Sequence, residues 1–173
     1  MTARPQTKLA MRPMLPTDVP FLAEIFRASI EELSADDYSE AQREAWASAA
    51  DDEEEFGARL AGELTLVATI GGDAIGFAAL ADNTRLDMLY VHPVAAGQGA
   101  ATMLCDALER LAVARGANEL TVEASDTASG FFERRGYVPK TRNTVSLAGE
   151  WIANTTMVKP LAATAGAGKG SLS

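Results

Sequence analysis

Cysteine is almost absent from this chain. Cys105 is the only thiol in 173 residues, so no intrachain disulfide can form, and a reducing cytoplasm fits. Positive charge is scarce as well: 15 Lys and Arg stand against 24 Asp and Glu, a formal net charge of -9. A nucleic-acid partner would need a basic footprint, and this balance argues against one. An acidic surface suits a cationic small substrate, because it raises the local cation concentration, and it serves solubility equally well. Long apolar runs are missing too. The longest, residues 74–81, is far shorter than the roughly 20 residues a helix needs to span a bilayer. Arg4, Lys8, Arg12 and Asp18 break up the amino-terminal stretch, which leaves no apolar core for a secretory signal. The expectation is a soluble, cytoplasmic protein with no membrane and no nucleic-acid partner.

What is present is ordinary globular sequence. Hydrophobic residues make up 47%, enough for one domain with a real core at this length. That domain is expected over residues 1–161, with a loose start over 1–7 and a flexible Ala/Gly/Ser tail over 162–173. Apolar spacing then orders the elements. Residues 9–14 predict a short strand. Thr17 and Asp18 offer an N-cap, and Pro20 sits in the first turn of a helix carrying Leu22, Ile25, Phe26, Ile30 and Leu33. A second helix is predicted over 39–50. A third starts at the acidic block 51–55, which suits a helix dipole and reads as a solvated helix start rather than a metal site. No metal is expected. Residues 64–70 and 74–81 predict a hairpin around Gly71-Gly72-Asp73, and 85–92 a further strand broken by Pro93. A helix over 98–115 ends at Gly116. Leu120, Val122 and Ala124 then alternate with polar residues, as in a half-buried strand. A short helix capped by Asp126 or Thr127 runs to Arg135, and a last hairpin turns at Ala148-Gly149. The strand–helix–strand unit over 85–125 should be parallel and right-handed.

One segment carries chemistry. From Tyr90 to Thr102 a strand ends in proline, a glycine turn follows, and a helix begins inside that turn. The first N–H groups of a helix have no partners within it and sit at the positive end of its dipole, which makes a phosphate site. Gly97 and Gly99 let a pyrophosphate lie against the backbone. A Gly-x-Gly alone is also compatible with a tight turn that binds nothing. A dinucleotide fingerprint would want glycine where Thr102 stands, and a P-loop needs the missing Gly-Lys-Ser/Thr.

Residues 96–101 resemble motif A of the GNAT acetyltransferases, Gln/Arg-x-x-Gly-x-Gly/Ala, and Leu89-Tyr90-Val91-His92-Pro93 resembles the end of that family's fourth strand. Downstream, Ser125-Asp126-Thr127-Ala128-Ser129-Gly130-Phe131-Phe132-Glu133-Arg134-Arg135-Gly136-Tyr137 is similar to the family's Asn-x-x-Ala-x-x-Φ-Tyr-Glu-x-x-Gly-Phe element. The resemblance covers roughly residues 8–160. It implies an α/β (α+β) three-layer domain: a mixed, mostly antiparallel sheet with splayed central parallel strands and helices on both faces. It also implies acetyl-CoA as cosubstrate and an amine of a small molecule or peptide as acceptor, in a monomer or homodimer.

The same resemblance assigns a site. The pantetheine arm would lie between Leu89, Tyr90 and Val91 on one side and Ala124 and Ser125 on the other, near Phe131 and Phe132. The pyrophosphate would rest on Ala96, Gly97, Gln98, Gly99, Ala100 and Ala101, and the Leu89 N–H would stabilise the oxyanion. Three departures stand out. Ala96 lacks the usual Gln or Arg side chain, Ser125 replaces Asn, and Phe132 replaces a Tyr that often protonates the leaving thiolate. Tyr90 is an alternative acid. Asp87, in an otherwise apolar strand, is the first candidate for the base that takes the ammonium proton, and Glu123 the second. His92 and Cys105 read as structural. Ile30, Tyr38, Trp46 and Trp151 are candidates for the acceptor pocket. The competing readings are an acyl-CoA-binding module without catalysis and a dinucleotide-binding domain.

Overall fold

Seven strands form one sheet in the order β1-β2-β3-β4-β5-β7-β6. They are β1 (Leu9–Pro13), β2 (Leu64–Ile70), β3 (Asp73–Ala81), β4 (Arg85–Val91), β5 (Glu119–Ser125), β6 (Val138–Leu147) and β7 (Glu150–Pro160). The computed structural model describes residues 8–161, so the loose start and the flexible tail expected from composition lie outside the described residues. Neighbouring strands run antiparallel except β4 and β5. The β2–β3 turn is one residue tighter than expected: Asp73 pairs with Ile70, and Gly71-Gly72 alone makes the reversal.

Helices cover both faces. On one side lie α1 (Val19–Leu33), α2 (Glu40–Ala47) and α3 (Glu53–Ala61). On the other lie α4 (Ala100–Ala114) and α5 (Ser129–Arg134). Each layer seals its own core. Leu22, Ile25, Phe26 and Ile30 of α1 join Phe56 and Leu60 of α3 against Val67, Phe77 and Met88 of the sheet. Leu104 and Leu108 of α4 join Phe132 of α5 against Leu66, Leu86, Leu120 and Val122. Period-2 alternation along β5 buries Leu120, Val122 and Ala124 toward α4, which turns Glu123 and Ser125 to the opposite face. Among the described residues no helix is long and apolar enough to cross a membrane.

The helix starts show where local rules are overruled. The Asp52 carboxylate caps α3 by accepting the Glu55 N–H at 3.1 Å, as the acidic block suggested. Asp18 stands at the N-cap of α1, but its carboxylate accepts the Leu15 N–H at 2.7 Å and pairs with Arg12, tying β1 to the helix instead. That guanidinium lowers the Asp18 pKa. Neither Asp126 nor Thr127 caps α5. Arg142 holds the Asp126 carboxylate at 2.5 and 3.0 Å, and the Thr127 hydroxyl donates to Asp37. A guanidinium competes for a carboxylate better than a neutral amide does. The Ser125 hydroxyl accepts the Ala128 N–H at 3.1 Å, just before the helix, and no side chain caps α5 itself.

Candidate active site

The site begins with a defect in the sheet. Ala79 faces Met88 across the β3–β4 ladder, but Leu80 faces Leu86, so Asp87 is the extra residue of a bulge. On its other edge β4 pairs with β5 only at Arg85–Thr121 and Leu86–Val122. A bulge strengthens twist and re-aims a side chain. The two parallel strands therefore part at Asp87, and a cleft of about 350 Å³ opens between them. His92 donates its N–H to Ile75 at 2.8 Å. Alternation along an antiparallel ladder places Tyr90 in the same bonded set and turns the N–H groups of Leu89 and Val91 toward the gap.

The cleft brings together Asp87, Leu89 and Tyr90 from β4, Glu123, Ala124 and Ser125 from β5, and Phe132 from α5. Val91 and Phe131 stand outside its walls. Tyr38 and Trp46, two residues expected in an acceptor pocket, also line it, with Ile152 and Asn154 of β7. Two residues proposed for that pocket do not reach it. Ile30 lies on the sheet-facing side of α1 and is core, and Trp151 is 66% exposed because strand alternation points its neighbour Ile152 inward instead.

Beyond the end of β4 the turn over residues 96–99 is an exposed surface rather than a wall of the cleft, and Ala100 is buried beneath it. Gly97 and Gly99 adopt φ of 79° and 90°, and a Cβ at either would meet no atom within 4 Å. Backbone conformation, not crowding, requires glycine there, and the space above is open. Among the described residues, the N–H groups from Gly97 to Thr102 find no acceptor, and the helical ladder starts with Met103 donating to Gly99 at 3.0 Å. His92 supports this turn by accepting the Val94 N–H on Nδ1 at 3.1 Å, the structural role expected of it.

Asp87 is not a solvated strand charge. Its side chain is 8% exposed and lies between Arg59 at 2.8 Å and Arg85 at 3.3 Å. Glu63, in the turn between α3 and β2, stands beside it, and burial, followed by the neighbouring Asp87 carboxyl, pushes the Glu63 pKa up to about 7. Arg59 and Glu63 were not foreseen. They carry no local motif, and Arg59 is 28 positions from Asp87.

The tyrosines divide by environment. The Tyr90 ring packs on Phe26 at 4.7 Å, Phe77 at 5.7 Å and Trp46 at 6.3 Å, and burial pushes its hydroxyl up to about 12. The Tyr38 hydroxyl donates to the Ala153 carbonyl at 2.6 Å and accepts the Asp126 N–H at 2.9 Å, with its pKa raised by burial. The Tyr137 hydroxyl is turned away, donating to Glu109 at 3.0 Å. Phe132 presents an apolar edge to the cleft and packs on Phe131 and Tyr137, each at 5.2 Å. Cys105 is buried in α4, where burial pushes its thiol up to about 12.

Comparisons bear on this geometry. Residues 34–161 match the family described as acetyltransferase (GNAT) domain. The chain is 32% identical over 146 residues to the uncharacterized N-acetyltransferase YafP of Escherichia coli (strain K12), covering 84% of this chain and 92% of the relative. A crystal structure from Rhodopseudomonas palustris, described as a GCN5-related N-acetyltransferase and as an aminotransferase of class II, is 59% identical. It superposes with a TM-score of 0.88 over 92% of this chain and 100% of that one. The PaiA N-acetyltransferase of Thermoplasma acidophilum, solved in complex with coenzyme A, is 21% identical with a TM-score of 0.72, over 88% of this chain and 99% of that one. At that identity the likeness is one of fold.

Proposed function

The chain belongs to the acetyltransferase (GNAT) family, and on that premise we propose that it moves an acetyl group from acetyl-CoA to a primary amine of a small molecule or peptide. The amine attacks directly in a ternary complex. The observation that carries this reading is the broken β4–β5 ladder opening next to a run of unpartnered amides.

The pyrophosphate rests on the amides of Gly97, Gln98, Gly99, Ala100 and Ala101; with alanine at 96, backbone contacts replace a side chain. The pantetheine arm pairs with Leu89 and Val91 as an added strand, beside Tyr90, Ala124 and Ser125. Phe132 forms its apolar flank, with Phe131 packed behind it. The Leu89 N–H polarises the thioester carbonyl and stabilises the oxyanion. An aliphatic amine has a pKa of roughly 10 and arrives protonated. Asp87 takes that proton, with Glu123 the second candidate, exposed at the cleft edge. A thiol pKa of about 8.5 makes CoA a good leaving group, so an acid is dispensable. The Tyr90 hydroxyl keeps its proton and can donate to the thiolate. An acyl-enzyme on Cys105 is disfavoured, because that thiol is 1% exposed and held protonated.

In thermal melts, acetyl-CoA at about 100 times its dissociation constant is expected to add about 2.7 kcal/mol of stability. Thiol release is then measured against a panel of amines and peptides. No response to millimolar acetyl-CoA together with a response to NAD would overturn the proposal. Binding without turnover of any amine would indicate a silent acyl-CoA-binding module.

Phe132→Tyr separates the role of the ring from that of an acid. General acids contribute roughly 10²–10⁴-fold, and less when the leaving group is already good. Transfer is therefore expected to change little, while amine-independent hydrolysis of acetyl-CoA rises as the apolar flank gains a hydroxyl. Thiol release with and without an accepted amine reads both. A large loss of transfer with unchanged hydrolysis would mean that Phe132 serves only the core.

A further inference from the structure

Two guanidiniums hold the Asp87 carboxylate, Arg59 at 2.8 Å and Arg85 at 3.3 Å. Beside it, Glu63 has one carboxyl oxygen, Oε1, that is buried and meets no donor among the described residues. The charged groups facing Glu63 are Arg59 from α3 and Arg85 and Asp87 from β4. The strands alongside offer Leu64 and Leu80, which are apolar. Two neighbouring carboxylates, one of them with a buried and unpartnered oxygen, cannot both stay ionised cheaply. A single proton on the pair relieves the like-charge contact.

We propose that Glu63 and Asp87 work as one proton-sharing pair: Asp87 lines the cleft and meets the acceptor's ammonium, and Glu63 is the positioning residue that stores the proton. This rests on the acetyl-transfer reading above. Asp87 precedes Leu89 by two residues, about 6–7 Å along a strand. That span suits a nitrogen attacking a carbonyl held at the Leu89 N–H. In the step, an N–H bond of the ammonium breaks and its proton passes to the pair. The nitrogen lone pair forms the C–N bond. When the tetrahedral intermediate collapses, the C–S bond breaks and the sulfur takes the second proton from nitrogen, while the first leaves the pair for solvent. With the pair empty, two carboxylates balance two guanidiniums and a cation is accepted. With the proton stored, the cluster turns positive and repels one.

The folded chain raises the Glu63 pKa from 4.5 to about 7, so the stability this group contributes is full below 4.5 and is lost as pH rises through about 7. Glu63→Gln keeps the shape, can donate to Asp87 and cannot ionise. Its melting temperature is therefore expected to gain on wild type as pH rises across that window.

The deciding experiment uses carbon-13 NMR of glutamate-labelled protein together with pH–rate profiles on an amine from the panel. One glutamate carboxyl is expected to titrate near 7 in wild type and to be missing in Glu63→Gln. The acidic limb of kcat/KM should leave the neutral range in the variant. Its kcat should fall roughly 10-fold to 100-fold, with acetyl-CoA affinity unchanged. A wild type in which no glutamate titrates near neutrality, or a variant whose limb stays in place, would overturn the pair. A wild type that acetylates no amine overturns the transfer reading instead, a failure that the wild-type carboxyl titration tells apart from that of the pair.

Discussion

Gly99→Glu is expected to weaken acetyl-CoA binding by about 100-fold or more, equivalent to roughly 2.7 kcal/mol, in a protein that still folds. Two effects add. Residue 99 sits at φ 90°, where a non-glycine residue costs about 1–2 kcal/mol of backbone strain. That strain falls on an exposed turn and lowers stability without emptying the core. The second effect is specific to the ligand. The open space above Gly99 is where the proposed pyrophosphate lies, and a carboxylate there occupies the anion site and repels the phosphates. Gly99→Ala supplies the control, since it carries the same strain without the charge. Calorimetric titration with acetyl-CoA, paired with a thermal melt, separates the two terms. A folded Gly99→Glu variant with wild-type affinity would show that the phosphates bind elsewhere.

Phe77→Ala should give the largest loss of stability, about 3–5 kcal/mol. Phe77 is 0% exposed at the centre of β3, with Phe56 at 6.2 Å and Tyr90 at 5.7 Å. Removing the ring leaves a cavity walled by α1, α3 and β4, and these elements are braced against one another and cannot close it. At roughly 2–4 °C per kcal/mol for a chain of this size, the melting temperature should drop by about 6–20 °C. The same cavity frees one side of the Tyr90 ring, so acetyl-CoA affinity should also fall. Denaturant melts of both proteins give the free energy, and a loss below about 1 kcal/mol would mean that the neighbouring side chains refill the space.

The turn of unpartnered amides was legible because it is local. Consecutive backbone amides and two glycines lie within a few residues of each other, and the left-handed φ of Gly97 and Gly99 is a demand that a sequence displays directly. The alternation of β5 and the two-residue turn before Asp73 are equally short-ranged. Periodicity says which residues are apolar, but not which element a face packs against. Hence Ile30 and Trp151 were placed in a pocket that neither reaches. The N-cap expected of α5 failed for a related reason: a distant Arg142 competes with the nearby amide for Asp126, and nothing in the local sequence announces it.

The sequence by itself determined the element order and the amide turn, because each depends on contacts spanning a few residues, while the three-layer fold was legible only through resemblance to a known family. Tertiary structure alone decided the surroundings of Asp87. The bulge that re-aims it exists only in the pairing of β3 with β4, and its partners Arg59 and Glu63 join Arg85 only once α3 has packed against the sheet. A carboxyl's charge state is set by what is within a few ångströms of it. For this residue most of those neighbours are remote in the chain, and so its chemistry could be located from the sequence but not assigned.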